Sequence, residues 1–371
     1  KKHMATMVDK TVKSLTAPEP GFWRDNLLLL GGWENDFTNF NNAVSSQVIG
    51  ANMNVYRMDA DTGSPEYKNE FIASKTITDY INAGVYAINF NGHGGGNIWS
   101  DSKFFGYNDL NNLYNAQWGA SGKLPFVFSY TCLTGFFESV FYRSLGEEFL
   151  RQSPNGALCF FGASAYTSKQ ANMIMNRIML DHAVNASVES VGELLWFTKM
   201  EMLARYGAQY LPVVRQYNLL GDPALPWSLA PDSLRLSLSD SLLDGHDSLV
   251  VNAACSPLNW GQARVTVWAD GKKWDERIDD ISKGSFSETV RIKDSIKTAS
   301  GVVRAYAWND SQHLRGFAAF SKTAVPVLNV MLDKDPVHFG DTVFVSCGYS
   351  PPASDGSVEM GRASGRGRVY E

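Results

Sequence analysis

The sequence predicts an α/β domain with a mostly parallel sheet, covered by helices on both faces, over residues 21–228, and an all-β immunoglobulin-like sandwich over residues 232–325. Three observations lead there. Apolar runs of strand length alternate with helix-period segments through the first part, as in strands covered on both faces. After Pro226 the runs become short and take period two, the pattern of antiparallel strands with one buried face. The third observation is an internal repeat. Leu234, Leu236, Leu238, Asp247, Leu249, Val251, Ser256 and Pro257 recur as Leu328, Val330, Leu332, Asp341, Val343, Val345, Ser350 and Pro351, always 94 residues on. That is the size of one such module, so residues 326–371 read as the start of a second, truncated module followed by a disordered tail with the arginines of Gly361–Arg368.

The elements follow in order. Residues 1–20 read as the end of an upstream segment, with a helix over Met7–Leu15 and a linker at Thr16-Ala-Pro-Glu-Pro-Gly. Leu27–Leu30 is a strand, and Phe37–Ile49 a helix with Phe37, Phe40, Val44 and Val48 near helical spacing. Asn54–Met58 is a strand ending at Asp59. Glu70–Asn82 is a helix with Phe71, Ile72, Ile77, Tyr80 and Ile81 inward. Val85–Phe90 and Leu124–Tyr130 are strands, the second followed by a helix over Phe136–Arg151. A strand over Gly156–Gly162, helices near 168–185 and 190–206, and a short strand over Arg215–Leu220 complete the domain.

Composition bounds the function. The 371 residues are 44% hydrophobic and 19% charged, with a net charge of −5, so a core is affordable and nucleic acid is disfavoured as the main partner. No apolar run approaches about 18 residues, so no membrane span is expected. The opening Lys1-Lys-His-Met-Ala has no apolar signal segment and no initial methionine; the chain reads as a fragment or processed form, with any targeting signal outside it. Its four cysteines, Cys132, Cys159, Cys255 and Cys347, form no C-x-x-C pair, and its six histidines no H-x-x-x-H pair. Zinc ribbons, thioredoxin-like motifs and zincins are thereby excluded, and no metal ligands are assigned.

In such sheets ligands bind outside the carboxyl ends of the strands. Those ends present Glu34, Asp59, His93, Cys132 and Ser164. An unpaired cysteine is ordinarily a small buried apolar residue, which is the reading for Cys159. Cys132 differs, because it closes an apolar strand and a helix is expected to open at Thr134 or Gly135. A helix N-terminus stabilises a thiolate, and its N–H groups can hold an oxyanion. His93, in Asn91-Gly-His-Gly-Gly-Gly, ends the preceding strand, and sequential strands are commonly neighbours. A nucleophilic cysteine with a proton-transfer partner needs that pair. The glycines do not spell a phosphate loop, since no Lys-Ser/Thr pair closes them. Glu34 is open to two readings, a helix-start acid or a member of this edge. Gly162-Ala-Ser164-Ala is not a nucleophile elbow, and Asp222 in Gly-Asp-Pro is a structural cap.

Three blocks together, Asn91-Gly-His93-Gly94, the run Leu124–Cys132 with Gly135 and Phe137, and Asn218-Leu-Leu-Gly-Asp-Pro-Ala-Leu225, resemble the gingipain family of cysteine peptidases. The resemblance runs from about residue 7 to 228 and implies a caspase-like fold with an immunoglobulin-like domain after it. It implies Cys132 as nucleophile, His93 as acid/base partner, the N–H groups of Gly94 and Cys132 as oxyanion hole, and Glu34 as the acid that orients His93. Arginine-specific members carry an acid in the primary pocket, yet Thr38–Ser46 has none; Asp36, Asp59 and Ser164 are the candidates for substrate contact. No cofactor is required, although family members hold structural calcium. The implied partners are protein or peptide substrates, at a secreted or cell-surface location in a bacterium, with association to a secretion system. Two other activities fit the same features: a surface transpeptidase of a secretion pathway, and an adhesin with an inactive peptidase-like head.

Overall fold

The computed structural model describes residues 2–49, 52–64, 70–100, 104–117, 121–185, 188–227, 229, 234–239, 248–270, 272–292, 296, 300–321, 327–332 and 345–350. The arginine-bearing tail read as disordered lies outside the described residues.

Leu27 to Leu30 explain how the first sheet is built. Leu28 and Leu30 belong to one core and Leu27 and Leu29 to another, because successive side chains of a strand point to opposite faces. Both faces therefore need cover, and burying each leucine contributes about 1.5–3 kcal/mol. The chain begins with helix α1 (Lys2–Thr16) and then enters β1 (Asn26–Gly31), α2 (Asn35–Val44) with a π-turn continuation to Ile49, β2 (Asn54–Asp59), α3 (Glu70–Ala83) and β3 (Ala87–Asn91). A small three-stranded sheet follows, made of β4 (Gly94–Gly95), β5 (Ile98–Trp99) and β6 (Phe105–Gly106). Next come β7 (Phe126–Tyr130), α4 (Leu145–Arg151), β8 (Cys159–Ala163), α5 (Lys169–Asn185), α6 (Val191–Tyr206), α7 (Leu211–Gln216) and β9 (Tyr217–Leu220).

The six-stranded sheet has the order β2-β1-β3-β7-β8-β9, with every pair parallel except β8–β9. Leu27 and Leu29 share a core with Phe40 and Val44 of α2, Met175 and Ile178 of α5, and Leu194 of α6. Leu28 and Leu30 meet Ile77 and Ile81 of α3, Trp99, and Phe149 of α4. This is the layered α/β arrangement expected from the sequence. Two details differ. Ile72 is exposed, because the buried stripe of α3 runs through Ala73, Ile77 and Ile81 and leaves Ile72 off it. The helix expected from Phe136 begins only at Leu145, where Ser144 and Glu147 form a reciprocal capping box.

The second unit is a seven-stranded antiparallel sheet of β10 (Arg235–Leu238), β11 (Ser248–Ala254), β12 (Trp260–Ala269), β13 (Lys272–Ser282), β14 (Ser285–Arg291), β15 (Ser300–Trp308) and β16 (His313–Ser321). Its order is β10-β11-β14-β13-β12-β15-β16, and the sheet curls until Leu234, just before β10, donates its N–H to Arg315 of β16 at 3.0 Å. Leu249, Val251, Val265, Val290 and Val303 fill the interior. A last pair, β17 (Val327–Leu332) and β18 (Val345–Ser350), repeats the β10–β11 register. Leu236 opposite Ala253 and Leu238 opposite Val251 become Val330 opposite Cys347 and Leu332 opposite Val345, each 94 residues on.

The two units meet at the amino end of β1. Buried Asp25 accepts from Arg304, with one bond of 2.6 Å and a second between Arg304 Nη2 and Asp25 Oδ1, and from Arg264 at 3.3 Å. Arg304 and Arg315 also donate to the Asn52 carbonyl, at 2.9 and 2.8 Å. Phe22 packs edge-on against Trp308, and the Arg264 guanidinium lies over its ring at 4.7 Å from the centroid.

Candidate active site

The register of the central strands fixes the site. Gly31 of β1 pairs with Asn91 of β3, and Asn91 pairs with Tyr130 of β7. Glu34, His93 and Cys132 lie three, two and two residues beyond these partners, on adjacent strands about 4.8 Å apart. All three leave the sheet at its carboxyl edge.

Two glycines let the first two loops converge. A Cβ on Gly32 would sit 2.9 Å from the Gly92 Cα, and one on Gly92 would sit 3.0 Å from the Gly32 Cα. Any side chain there would wedge the loops apart. With them closed, His93 Nε2 lies 2.7 Å from Glu34 Oε1. A carboxylate only accepts, so Nε2 carries the proton, and Nδ1 is the ring nitrogen that Glu34 does not engage. The imidazole sits between Trp33, with ring centroids 5.8 Å apart, and the edge-on ring of Phe37 at 5.4 Å.

Glu34 is the N-cap of α2, but its side chain makes no capping hydrogen bond. It faces His93 and Lys169 instead. Lys169 Nζ donates to Glu34 Oε2 at 2.7 Å and to Asp36 Oδ2 at 2.5 Å. The hydrogen bond from Lys169, and then that from His93, holds the Glu34 carboxyl below its ordinary range. The Asp36 and Glu34 carboxylates in turn raise the Lys169 ammonium. Sequence reasoning missed Lys169. One signal was legible: a lysine opening a helix opposes the helix dipole, which favours acids there.

Cys132 is partly exposed, whereas Cys159 is buried and its thiol is pushed up to about 12 by desolvation. Cys132 does not sit at a helix N-terminus as expected, because residues 133–144 run as turns and loop before α4. A different backbone group serves the sulfur. Thr167 N–H donates to Sγ at 3.4 Å, the Thr167 carbonyl lies 3.5 Å from Sγ and its hydroxyl 3.7 Å. Leu133 takes φ +62°, uncommon outside glycine. The loop is stitched to the segment after β8 by Leu133 N–H to the Ala165 carbonyl at 3.2 Å and Gly135 N–H to Ala163 at 2.9 Å. Buried Tyr217 donates to Asn172 of α5 at 2.9 Å.

Gly94 lies beside this loop; a Cβ there would meet the Thr131 side chain at 2.8 Å and the Ile98 carbonyl at 3.0 Å. Ser100 N–H donates to His93 O, which makes Gly94 and Trp99 a pair of the non-hydrogen-bonded kind. The Gly94 N–H therefore points away from its hairpin partner.

The other sequence candidates are placed as follows. Asp36 lies beside the site, held by Lys169. Asp59 is 1% exposed, and its oxygens accept from Asn41, Arg57 and Ser64 at 2.9, 2.6 and 2.9 Å. Burial raises its carboxyl, an effect opposed first by Arg57. Its partners are all internal. Ser164 is half-buried, donates to the Gln216 carbonyl at 3.1 Å and accepts from Asn218 at 3.2 Å. Beside Asp36 and Lys169 a groove of about 650 Å³ runs between α2 and α5, with Phe40, Val48, Ile174 and Ile178 along it. Among the described residues no three His, Cys, Asp or Glu side chains gather as a metal site. Among them, too, no helix is long and apolar enough to cross a membrane.

Comparison with known proteins places the chain in a family. Gingipain R1 of Porphyromonas gingivalis is 23% identical over 239 residues, which is 62% of this chain and 23% of that protein. Gingipain R2 of the same species is 25% identical over 161 residues, 42% of this chain and 21% of that protein. The chain thus spans under a quarter of the length of these relatives. The crystal structure of the Arg specific cysteine proteinase gingipain R superposes with a TM-score of 0.50 at 17% identity, covering 85% of this chain and 72% of that one; the two share a fold. The model of peptidase family C25 matches residues 1–228, and the chain belongs to that family of gingipain-like cysteine peptidases.

Proposed function

We propose that the chain hydrolyses peptide bonds as an endopeptidase through an acyl-enzyme on Cys132. The observation that carries this reading is the 2.7 Å His93–Glu34 contact on the strand neighbouring the one that ends at Cys132. The His93 Nδ1 atom takes the thiol proton, and the thiolate attacks the scissile carbonyl. The N–H groups of Gly94 and Cys132 receive the oxyanion; loss of one such donor typically lowers the rate about 10²- to 10³-fold. His93 then protonates the leaving amine, and a water molecule, deprotonated by His93, releases the acyl group.

In this reading the substrate lies across the carboxyl edge, with the groove between α2 and α5 open to one part of it. Asp36 and Asp59, the acids considered for substrate contact, are already held by Lys169 and Arg57. Neither is therefore assigned to recognition of a basic side chain. A secreted or cell-surface location belongs to the same proposal and rests on the family resemblance. The test is Cys132→Ala against fluorescein-labelled casein and a peptide library. Complete loss of cleavage is expected, and activity equal to the parent would remove Cys132 as nucleophile.

A further inference from the structure

We propose that Lys169 is a positioning residue of the active site: it fixes the Glu34 carboxylate on His93 and sets the charge that the Cys132–His93 pair experiences. The proposal rests on the peptidase reading above, and the geometry is local. Glu34 has two oxygens; one faces His93 at 2.7 Å and the other faces Lys169 at 2.7 Å. With both oxygens held, the carboxylate cannot rotate away from the imidazole. Lys169 is itself anchored by Asp36 at 2.5 Å and lies 5.8 Å from the centroid of the Phe37 ring. The order Asp36–Lys169–Glu34–His93 thus alternates in sign when the histidine is protonated.

Lys169 also links the two halves of the catalytic pair. It lies two residues after Thr167, whose N–H donates to Cys132 Sγ. One short stretch, from the loop after β8 to the first residue of α5, therefore grips the sulfur at one point and the histidine's acid at the next. Displacement of this segment would loosen both together.

The groups facing Lys169 are Glu34 and Asp36 from the start of α2, and His93 through Glu34 from the loop after β3. Farther along the groove stand Arg177 and Asp181 of its own helix and Glu201 and Arg205 of α6, the last two paired with each other. Among the lysines and arginines of the described residues, Lys169 is the one that touches Glu34. Its charge opposes the imidazolium and favours the thiolate. Removing it should raise the affinity of both His93 and Cys132 for protons, so both limbs of the pH–activity profile should move to higher pH.

The test compares Lys169→Met and Lys169→Arg in the full 371-residue chain. His93 is titrated by NMR in histidine-labelled protein, its signal identified with His93→Gln. Lys169→Met should raise the His93 titration point by about 0.5 to 1 unit, and Lys169→Arg should leave it within about 0.2 unit. With labelled casein, Lys169→Met should lower kcat about tenfold or more with KM within about threefold, and shift the profile upward. Lys169→Arg should restore both. Lys169→Gln, uncharged but still a donor, replaces Met if that variant does not fold by near-ultraviolet circular dichroism. An unmoved His93 titration, or a rate loss with an unshifted profile, overturns the proposal. Because the titration needs no turnover, it stands apart from the Cys132→Ala test of the peptidase reading.

Discussion

The Thr167 backbone N–H points at Cys132 Sγ from 3.4 Å, so the sulfur of the β7 loop is served by the segment that follows β8. A hydrogen bond to a charged acceptor is worth about 1.5–3 kcal/mol, the scale on which a thiol becomes a usable thiolate. Thr167→Pro deletes this donor. Alkylation of Cys132 by iodoacetamide at pH 7 should slow about tenfold. Thr167→Ala keeps the N–H and should stay within about twofold of the parent. Equal alkylation rates in the proline variant and the parent would show that the thiolate is stabilised elsewhere.

Glu34→Gln tests the other half of the pair. The glutamine keeps the size of the side chain but loses the anionic acceptor for His93 Nε2 and the partner of Lys169. A loss of about 10- to 100-fold in kcat is expected, with KM little changed, from a charged hydrogen bond of about 1.5–3 kcal/mol. The native carboxyl is held low by Lys169 and His93. Its folded-state value lies below the unfolded one, so its contribution is present above the ordinary carboxylate range and is lost only as pH falls through the depressed value. Steady-state kinetics from pH 4 to 9 would show whether activity at the acid end tracks this residue.

Asp25 controls how the β unit is held. It is buried against Arg304 and Arg264, far from the catalytic edge, at the amino end of β1. Asp25→Ala leaves two guanidinium groups without their anion in the interior. Removing one partner of a buried pair typically costs about 3–5 kcal/mol. Urea unfolding should show a lower midpoint of that order, while casein cleavage by the folded fraction stays near the parent. A midpoint unchanged from the parent would mean that the cluster adds no stability.

Lys10 predicts a pH dependence of stability. Lys10 is 4% exposed, and its ammonium donates to the carbonyls of Leu150, Gln152 and Asn155 at 2.8, 3.2 and 3.0 Å. Burial lowers its value from 10.5 to about 7. Between those two pH values the unfolded chain binds more protons than the folded one, so stability rises with pH there, by at most about 1.4 kcal/mol per unit. Below about pH 7 both states are protonated and the contribution is flat. Urea titrations at pH 6.5, 8 and 9.5 should show the parent gaining on Lys10→Met across this window. Parallel curves would mean that the three carbonyls keep the ammonium near its ordinary value.

The α/β order is written in the residue pattern, and so is the sheet edge at which Glu34, His93 and Cys132 emerge. Four consecutive leucines demand cover on both faces, and the strand-length runs before His93 and Cys132 stop where the sheet ends. The 94-residue repeat was equally legible, and its strand pairing recurs in the same register. The small sheet after His93 was not, since Gly94–Gly95 carries no apolar pattern and is shaped by contact with Trp99 and Ile98.

What surrounds Glu34, His93 and Cys132 emerges only in three dimensions. Residues 133–144 have enough apolar character to suggest a helix, yet the loop is drawn onto Ala163 and Ala165 by backbone hydrogen bonds that leave no local trace. Asp59 resembled a substrate acid by its position, but Asn41, Arg57 and Ser64 enclose it. Thr167 and Lys169 reach Cys132 and Glu34 from 35 and 135 residues away in the chain. Periodicity records which face of a strand or helix is buried. It does not record which distant donor a carboxylate or a sulfur meets, because that depends on where the sheet order sets two helix starts side by side.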